Sequence, residues 1–194
     1  MKLLKIYIFI IVGVTSLSAF TFDKWESGTK LTEAIQVARI NNIPLTIQSS
    51  VFMSKKFDWR YLKNHQKHRV LYYKQDLMGG YARVALYFTQ ESKKLYKIQI
   101  SWTGLFNKQD FTESLYRVID KKYGQRNIVM PSNVGEYVFY TKRMWRIDDN
   151  SIVQSNTSSG MVELVYLDKK YEFDDLQKKE KKKLDMIITD AKKF

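Results

Sequence analysis

No cysteine occurs in the 194 residues of the chain. That absence excludes a disulfide scaffold, a thiol nucleophile, a thiolate zinc site and a lipid-modified N-terminal cysteine. Proline is scarce, with two residues, and glycine contributes eight, so collagen-like, mucin-like and linker compositions are excluded as well. What is present instead is apolar: 44% of the residues are hydrophobic. Disordered chains lack the apolar surface needed to offset chain entropy, so this composition belongs to a folded protein that stands on its core alone.

Recognisable catalytic motifs are also missing. The sequence holds no Gly-x-Ser-x-Gly elbow, no phosphate-binding glycine-rich loop, no His-Glu-x-x-His and no acidic calcium loop, and no motif implies a cofactor. The two histidines, His65 and His68, would share one face of a helix. Lys63, Lys67 and Arg69 around them would repel a cation, and no third ligand is near in sequence, so no metal site is assigned. Asp148 and Asp149 are adjacent, and adjacent carboxylates in a strand point to opposite faces rather than converging on one bond. With Asn150 they read as a tight turn.

The N-terminus carries a strong signal of another kind. Lys2 and Lys5 form a positive region, residues 6–14 are an uncharged run, and Thr15, Ser16, Ser18 and Ala19 offer small residues to a peptidase. This predicts a cleaved secretory signal peptide over residues 1–18 and a periplasmic protein. The apolar stretch to Phe20 is shorter than the roughly 20 residues that span a bilayer, and no second such run follows, so no transmembrane segment is expected in the mature chain. Of 33 Lys and Arg against 20 Asp and Glu, the leader takes away two lysines and no acid, leaving the mature chain at +11.

No repeat or linker divides residues 19–194, which reads as a single domain. Thr29 is a candidate cap for a helix whose face is Leu31, Ala34, Ile35 and Ala38, stopped by Asn41, Asn42 and Pro44. Residues 45–52 and 70–76 read as strands. Ala82, Val84, Leu86 and Phe88, then Tyr96, Ile98, Ile100 and Trp102, alternate with polar partners across a turn at 90–93, the pattern of an antiparallel hairpin with one buried face. A central helix follows, capped by Asn107 and closed by Gly124, with Phe111, Leu115, Val118, Ile119 and Tyr123 on its stripe. Further strands are expected over 137–147, 152–156 and 161–167. The C-terminal segment 174–193 predicts a basic helix with Leu176, Leu184, Ile187, Ile188 and Ala191 on its apolar side. The fold class is therefore α+β: a mainly antiparallel sheet of two strand runs flanking a central amphipathic helix, with N- and C-terminal helices.

One segment stands above this background. Residues 55–74 hold Lys55, Lys56, Arg60, Lys63, Lys67, Arg69 and Lys74 against a single acid, Asp58, a local charge of +6. Phe57, Trp59, Tyr61, Tyr72 and Tyr73 are interleaved with them. Cations beside aromatics offer contact area, cation–π attraction and bidentate hydrogen bonds, as partner-binding surfaces do. The candidate site is accordingly Lys55, Lys56, Phe57, Trp59, Arg60, Tyr61, Lys63, Lys67 and Arg69. A surface loop whose aromatics fold back over the core would have the same composition. Such grooves also bind single-stranded nucleic acid, a reading the export signal opposes.

The expected function is a non-catalytic binding or assembly protein of the bacterial envelope, such as a component of a flagellar-motor or secretion assembly. Its partner would be another envelope protein, docking on the basic segment or adding a strand to a free sheet edge. A hydrolase of an envelope polymer, built from scattered residues, is the alternative enzyme reading. Peripheral binding to an anionic polymer or lipid headgroup, through residues 55–74 or through Lys178 to Lys183, is the third.

Overall fold

The computed structural model describes residues 20–47, 69–105, 107–124, 128–134, 138–158 and 160–191. The order of elements is a short hairpin of β1 (Thr21–Phe22) and β2 (Trp25–Glu26), α1 (Leu31–Ile40), then β3 (Val70–Leu77), β4 (Gly80–Phe88) and β5 (Leu95–Thr103). There follow α2 (Lys108–Tyr123), β6 (Ile128–Val134), β7 (Val138–Arg146), β8 (Ser151–Thr157), β9 (Met161–Asp168) and α3 (Lys169–Ala191). Seven strands form one sheet in the order β3-β4-β5-β9-β8-β7-β6, and every neighbouring pair is antiparallel. The two strand runs are thus joined into a single surface where β5 meets β9. The α+β class with an antiparallel sheet is the one the alternation predicts.

Strand period two divides the sheet cleanly into faces. One face carries Leu71 and Tyr73 of β3, Ala82, Val84, Leu86 and Phe88 of β4, and Ile98, Ile100 and Trp102 of β5. Val162, Leu164 and Tyr166 of β9, Val153 of β8 and Trp145 of β7 continue it, all buried. Registers such as Val84↔Ile100 and Ile100↔Leu164 align these residues into rows. Leu31, Ala34 and Ala38 of α1 and Leu115, Tyr116 and Ile119 of α2 complete the same core, with Phe20 and Trp25 from the N-terminal strap. The Trp25 indole donates to the Tyr73 hydroxyl at 2.8 Å, and the Trp145 indole donates to Asp120 of α2 at 2.6 Å. Both pins fasten a flanking element to the sheet.

Several local expectations change. Thr29 does not cap α1: its hydroxyl donates back to Glu26 O, and Lys30 occupies the N-cap, where its backbone N–H donates to Glu33. Val118 lies beyond the edge of the α2 stripe and is exposed, while Thr112 and Tyr116 are buried in its stead. Strand β6 was not foreseen, since Ile-Val-Met-Pro-Ser-Asn-Val shows no alternation and contains Pro131. Its position at the sheet edge removes that objection, because an edge strand tolerates a residue without an N–H. Of the strand expected at 45–52, Thr46 makes an isolated bridge to Tyr72 of β3, and residues 48–52 lie outside the described residues. The C-terminal helix starts at Lys169 rather than 174, because Asp168 ends β9 and accepts from Lys170 N at 3.0 Å as a helix cap. The β3–β4 connection is two residues, Met78 and Gly79, both at positive φ, as the tightest hairpins require.

Candidate functional site

Of the nine residues singled out from the sequence, Lys55, Lys56, Phe57, Trp59, Arg60, Tyr61, Lys63 and Lys67 lie outside the described residues, as do His65 and His68. Arg69 is described, exposed at the entrance to β3, and its guanidinium donates to Gln90 at 3.3 Å. Gln90 belongs to the β4–β5 turn, so the end of the basic segment is tied to the sheet at that point.

Beyond Arg69 the chain enters the sheet, and alternation sends Tyr72 and Lys74 to the face opposite the core. Tyr81, Arg83 and Tyr87 of β4 and Lys97, Gln99 and Ser101 of β5 join them. Here cations and rings interlock across strands. The Arg83 guanidinium sits 4.9 Å from the centre of the Tyr72 ring, the Lys97 ammonium 3.9 Å from that of Tyr87, and the Lys74 ammonium 5.4 Å from that of Tyr81. Each pair is a cation–π contact with the cation partly hydrated, worth about 0.5–1 kcal/mol at exposed sites.

Toward the centre of the sheet the same face becomes a hydrogen-bonded chain. The Tyr87 hydroxyl donates to Gln99 at 2.8 Å, and the Gln99 amide donates to Glu163 of β9. Asn156 of β8 donates to the other Glu163 oxygen at 2.9 Å and accepts from Gln154 at 2.8 Å. Glu163 is therefore held between two amide donors, and the negative charge it brings is fixed at mid-sheet. Burial, followed by the neighbouring Tyr72 and Glu163, raises the Tyr87 pKa, with Arg83 pulling the other way, so Tyr87 stays a neutral donor. Arg83, Lys74 and Lys97 form the basic side of this face and Lys142 and Arg146 of β7 its far side, against Asp76 and Glu163.

Two carboxylates elsewhere, Asp148 and Asp168, serve local structure. Asp148 accepts from Asn150 N at 2.7 Å within its own turn. Burial raises the Asp168 pKa against its hydrogen bonds to Ser27, Lys170 and Tyr171, while that carboxylate caps α3. Among the described residues no cluster of three or more His, Asp or Glu is arranged to hold a metal ion. On the core face beneath α2, the Arg143 guanidinium stacks 3.8 Å from the centre of Tyr116, whose hydroxyl meets Thr157 at 3.2 Å. The Arg143 Nε, Ser155 Oγ and Thr112 Oγ1 beside it have no hydrogen-bond partner.

Sequence reasoning missed most of the outer face. Tyr72 and Lys74 were noted as the end of the basic segment, but Tyr81, Arg83, Tyr87 and Lys97 were read only as the polar alternates of a hairpin. The signal was available in part: of the β4 alternates Tyr81, Arg83, Ala85 and Tyr87, three are tyrosine or a cation, and Lys97 of β5 adds a further cation. No family model, no curated protein and no solved structure matches this chain.

Proposed function

We propose that the protein is a non-catalytic binding module of the bacterial envelope, exported to the periplasm, which holds an acidic face of an envelope protein against its basic, tyrosine-rich sheet surface. The observation that carries this reading is the interlocked set Tyr72, Lys74, Tyr81, Arg83, Tyr87 and Lys97. Tyrosine gives large contact area at low entropic cost, and arginine gives bidentate recognition of carboxylates. Cation–π contacts hold both kinds of side chain in place before a partner arrives, which lowers the ordering cost of binding. Continuity in sequence supports the same surface, since Arg69 and Lys74 belong to the basic segment read from the sequence. The two strand runs, joined in one sheet, supply the broad platform.

The test is recovery of partners from cross-linked periplasm with a tagged protein. Arg83→Glu with Lys97→Glu is expected to abolish recovery of a discrete stoichiometric partner, and Trp59→Ala with Arg60→Ala to weaken it. Unchanged recovery with the first pair, or fractionation of the protein to the cytoplasm, would contradict the reading.

A further inference from the structure

Helix α3 is fastened to the domain chiefly through polar residues of its first half, and every residue from Leu176 to Thr189 is exposed. Successive residues turn by about 100°, so Tyr171, Asp175 and Lys182 fall on one side of the helix. These are the residues that dock. The Asp175 carboxylate accepts from the backbone N–H groups of Gln90, Glu91 and Ser92 at 2.7, 2.8 and 2.9 Å and from the Ser92 hydroxyl at 3.2 Å. Lys182 pairs with Glu91 of the same turn. The Tyr171 ring lies over Gly28, so closely that a Cβ there would stand 2.4 Å from its hydroxyl, and Lys94 covers the ring at 4.7 Å.

On the opposite side lie Phe173, Leu176, Leu184, Ile187 and Ile188, each between 46% and 60% exposed. They extend over fifteen residue steps, about 23 Å of helix. Lys179 and Lys183 border this stripe along one edge and Lys181 along the other, with Lys178 behind it, all exposed. Laid in the plane of a membrane interface, such a helix would set its stripe among the acyl chains and its ammonium groups at the phosphates. We infer that α3 is a membrane-surface helix that docks the protein on an anionic phospholipid bilayer through Phe173, Leu176, Leu184, Ile187 and Ile188, with Lys179, Lys181 and Lys183 at the headgroups.

Charge decides against a second copy of the chain as the occupant. Residues 178–183 read Lys-Lys-Glu-Lys-Lys-Lys, and an antiparallel pair of α3 helices centred on this run would set those lysines on one another. A helical protein partner would want a sustained seam of apolar residues three and four apart. Glu180 interrupts that seam and splits the stripe into Phe173 with Leu176 and Leu184 with Ile187 and Ile188. A bilayer needs no register, and every residue from Leu176 to Thr189 is exposed, so a flat surface can reach both halves.

The experiment is vesicle flotation with the purified full chain. Vesicles of equimolar phosphatidylglycerol and phosphatidylcholine are expected to carry the protein, and pure phosphatidylcholine vesicles to leave it behind. Leu184→Ser with Ile187→Ser, and separately Lys179→Glu with Lys183→Glu, should each weaken flotation by about tenfold or more, given the free energy per buried CH₂ and per lysine at such surfaces. Arg83→Glu with Lys97→Glu should leave flotation unchanged, which separates this surface from the sheet face. Equal binding to both vesicle types, or full binding by the Leu184→Ser, Ile187→Ser variant, would overturn the inference. So would absence of flotation together with an α3-dependent dimer, or with an acidic protein captured through the stripe.

Discussion

Helices α2 and α3 are both amphipathic, and they are mounted in opposite senses. In α2 the stripe of Leu115, Tyr116 and Ile119 is buried against the sheet, and the helix is pinned by the Asp120 bond to Trp145. In α3 the pin is Asp175 in the amides of the β4–β5 turn, and it holds the apolar stripe away from the domain. The lesson is that apolar periodicity tells which residues of a helix act together, whereas the polar groups that dock the helix decide which way that set faces. An inward stripe makes stability, and an outward stripe is available to something else.

Truncation at matched positions should separate the two helices most widely. Leu115→Ala or Ile119→Ala, at sites 2–3% exposed, is expected to lower unfolding free energy by about 2–5 kcal/mol in denaturant titrations. Leu184→Ala or Ile187→Ala should stay within about 0.5 kcal/mol, as exposed sites do. Comparable losses on both helices would mean that α3 is packed like α2.

Gly28→Ala tests the seat of α3 from the other side. Gly28 has φ +83° and no room for a Cβ beside Tyr171, so the substitution should cost about 1–3 kcal/mol through backbone strain and displacement of the ring. Adding Tyr171→Ala should relieve the clash and leave the strain, so the double variant is expected to recover part of the loss.

The Asp175 pin itself has a pH signature. Burial alone would raise its pKa, but hydrogen bonds from Ser92, Glu91 and Gln90 outweigh burial and hold it below the ordinary carboxylate range. A depressed folded-state pKa contributes stability that is fully present above the unfolded value near 3.9 and is lost as pH falls through the folded value. Hydrogen exchange at residues 90–92 and 169–176 is therefore expected to be slow at neutral pH and to accelerate at strongly acidic pH. Asp175→Asn should exchange faster at neutral pH, with a cost of about 1–3 kcal/mol for amides deprived of a charged acceptor. Identical exchange in the two proteins would remove Asp175 as the pin. A small effect belongs to the outer sheet face, where Arg83→Ala and Lys97→Ala should each lower stability by about 0.5–1 kcal/mol through loss of a cation–π contact.

The alternation in 82–88 and 96–102 made the hairpin and its buried face legible, because a one-residue slip would have exposed all of Val84, Leu86, Ile98 and Ile100. The stripes of α1 and α2 were legible for the same reason. Strand β6 was not, since its place depends on a neighbour in β7 rather than on its own pattern. Nor was the union of the two strand runs through β5 and β9, a contact between residues 58 to 70 apart in sequence. The members of the α3 stripe could be read from spacing, but their outward direction could not, because it rests on a side chain reaching a turn 83 to 85 residues earlier. The outer face of cations and tyrosines was half legible: its residues were visible as polar alternates, and their mutual stacking required the cross-strand register.

The absence of native cysteine provides the most direct test of the opposed helices, since any thiol introduced is the only one in the chain. Single variants Leu115→Cys and Ile119→Cys on α2, and Leu184→Cys and Ile187→Cys on α3, can be labelled in the folded protein and timed. The account predicts that the α3 thiols react at the rate of a free peptide thiol while the α2 thiols react only after unfolding. Protection of Leu184→Cys and Ile187→Cys to the level of the α2 sites would contradict it.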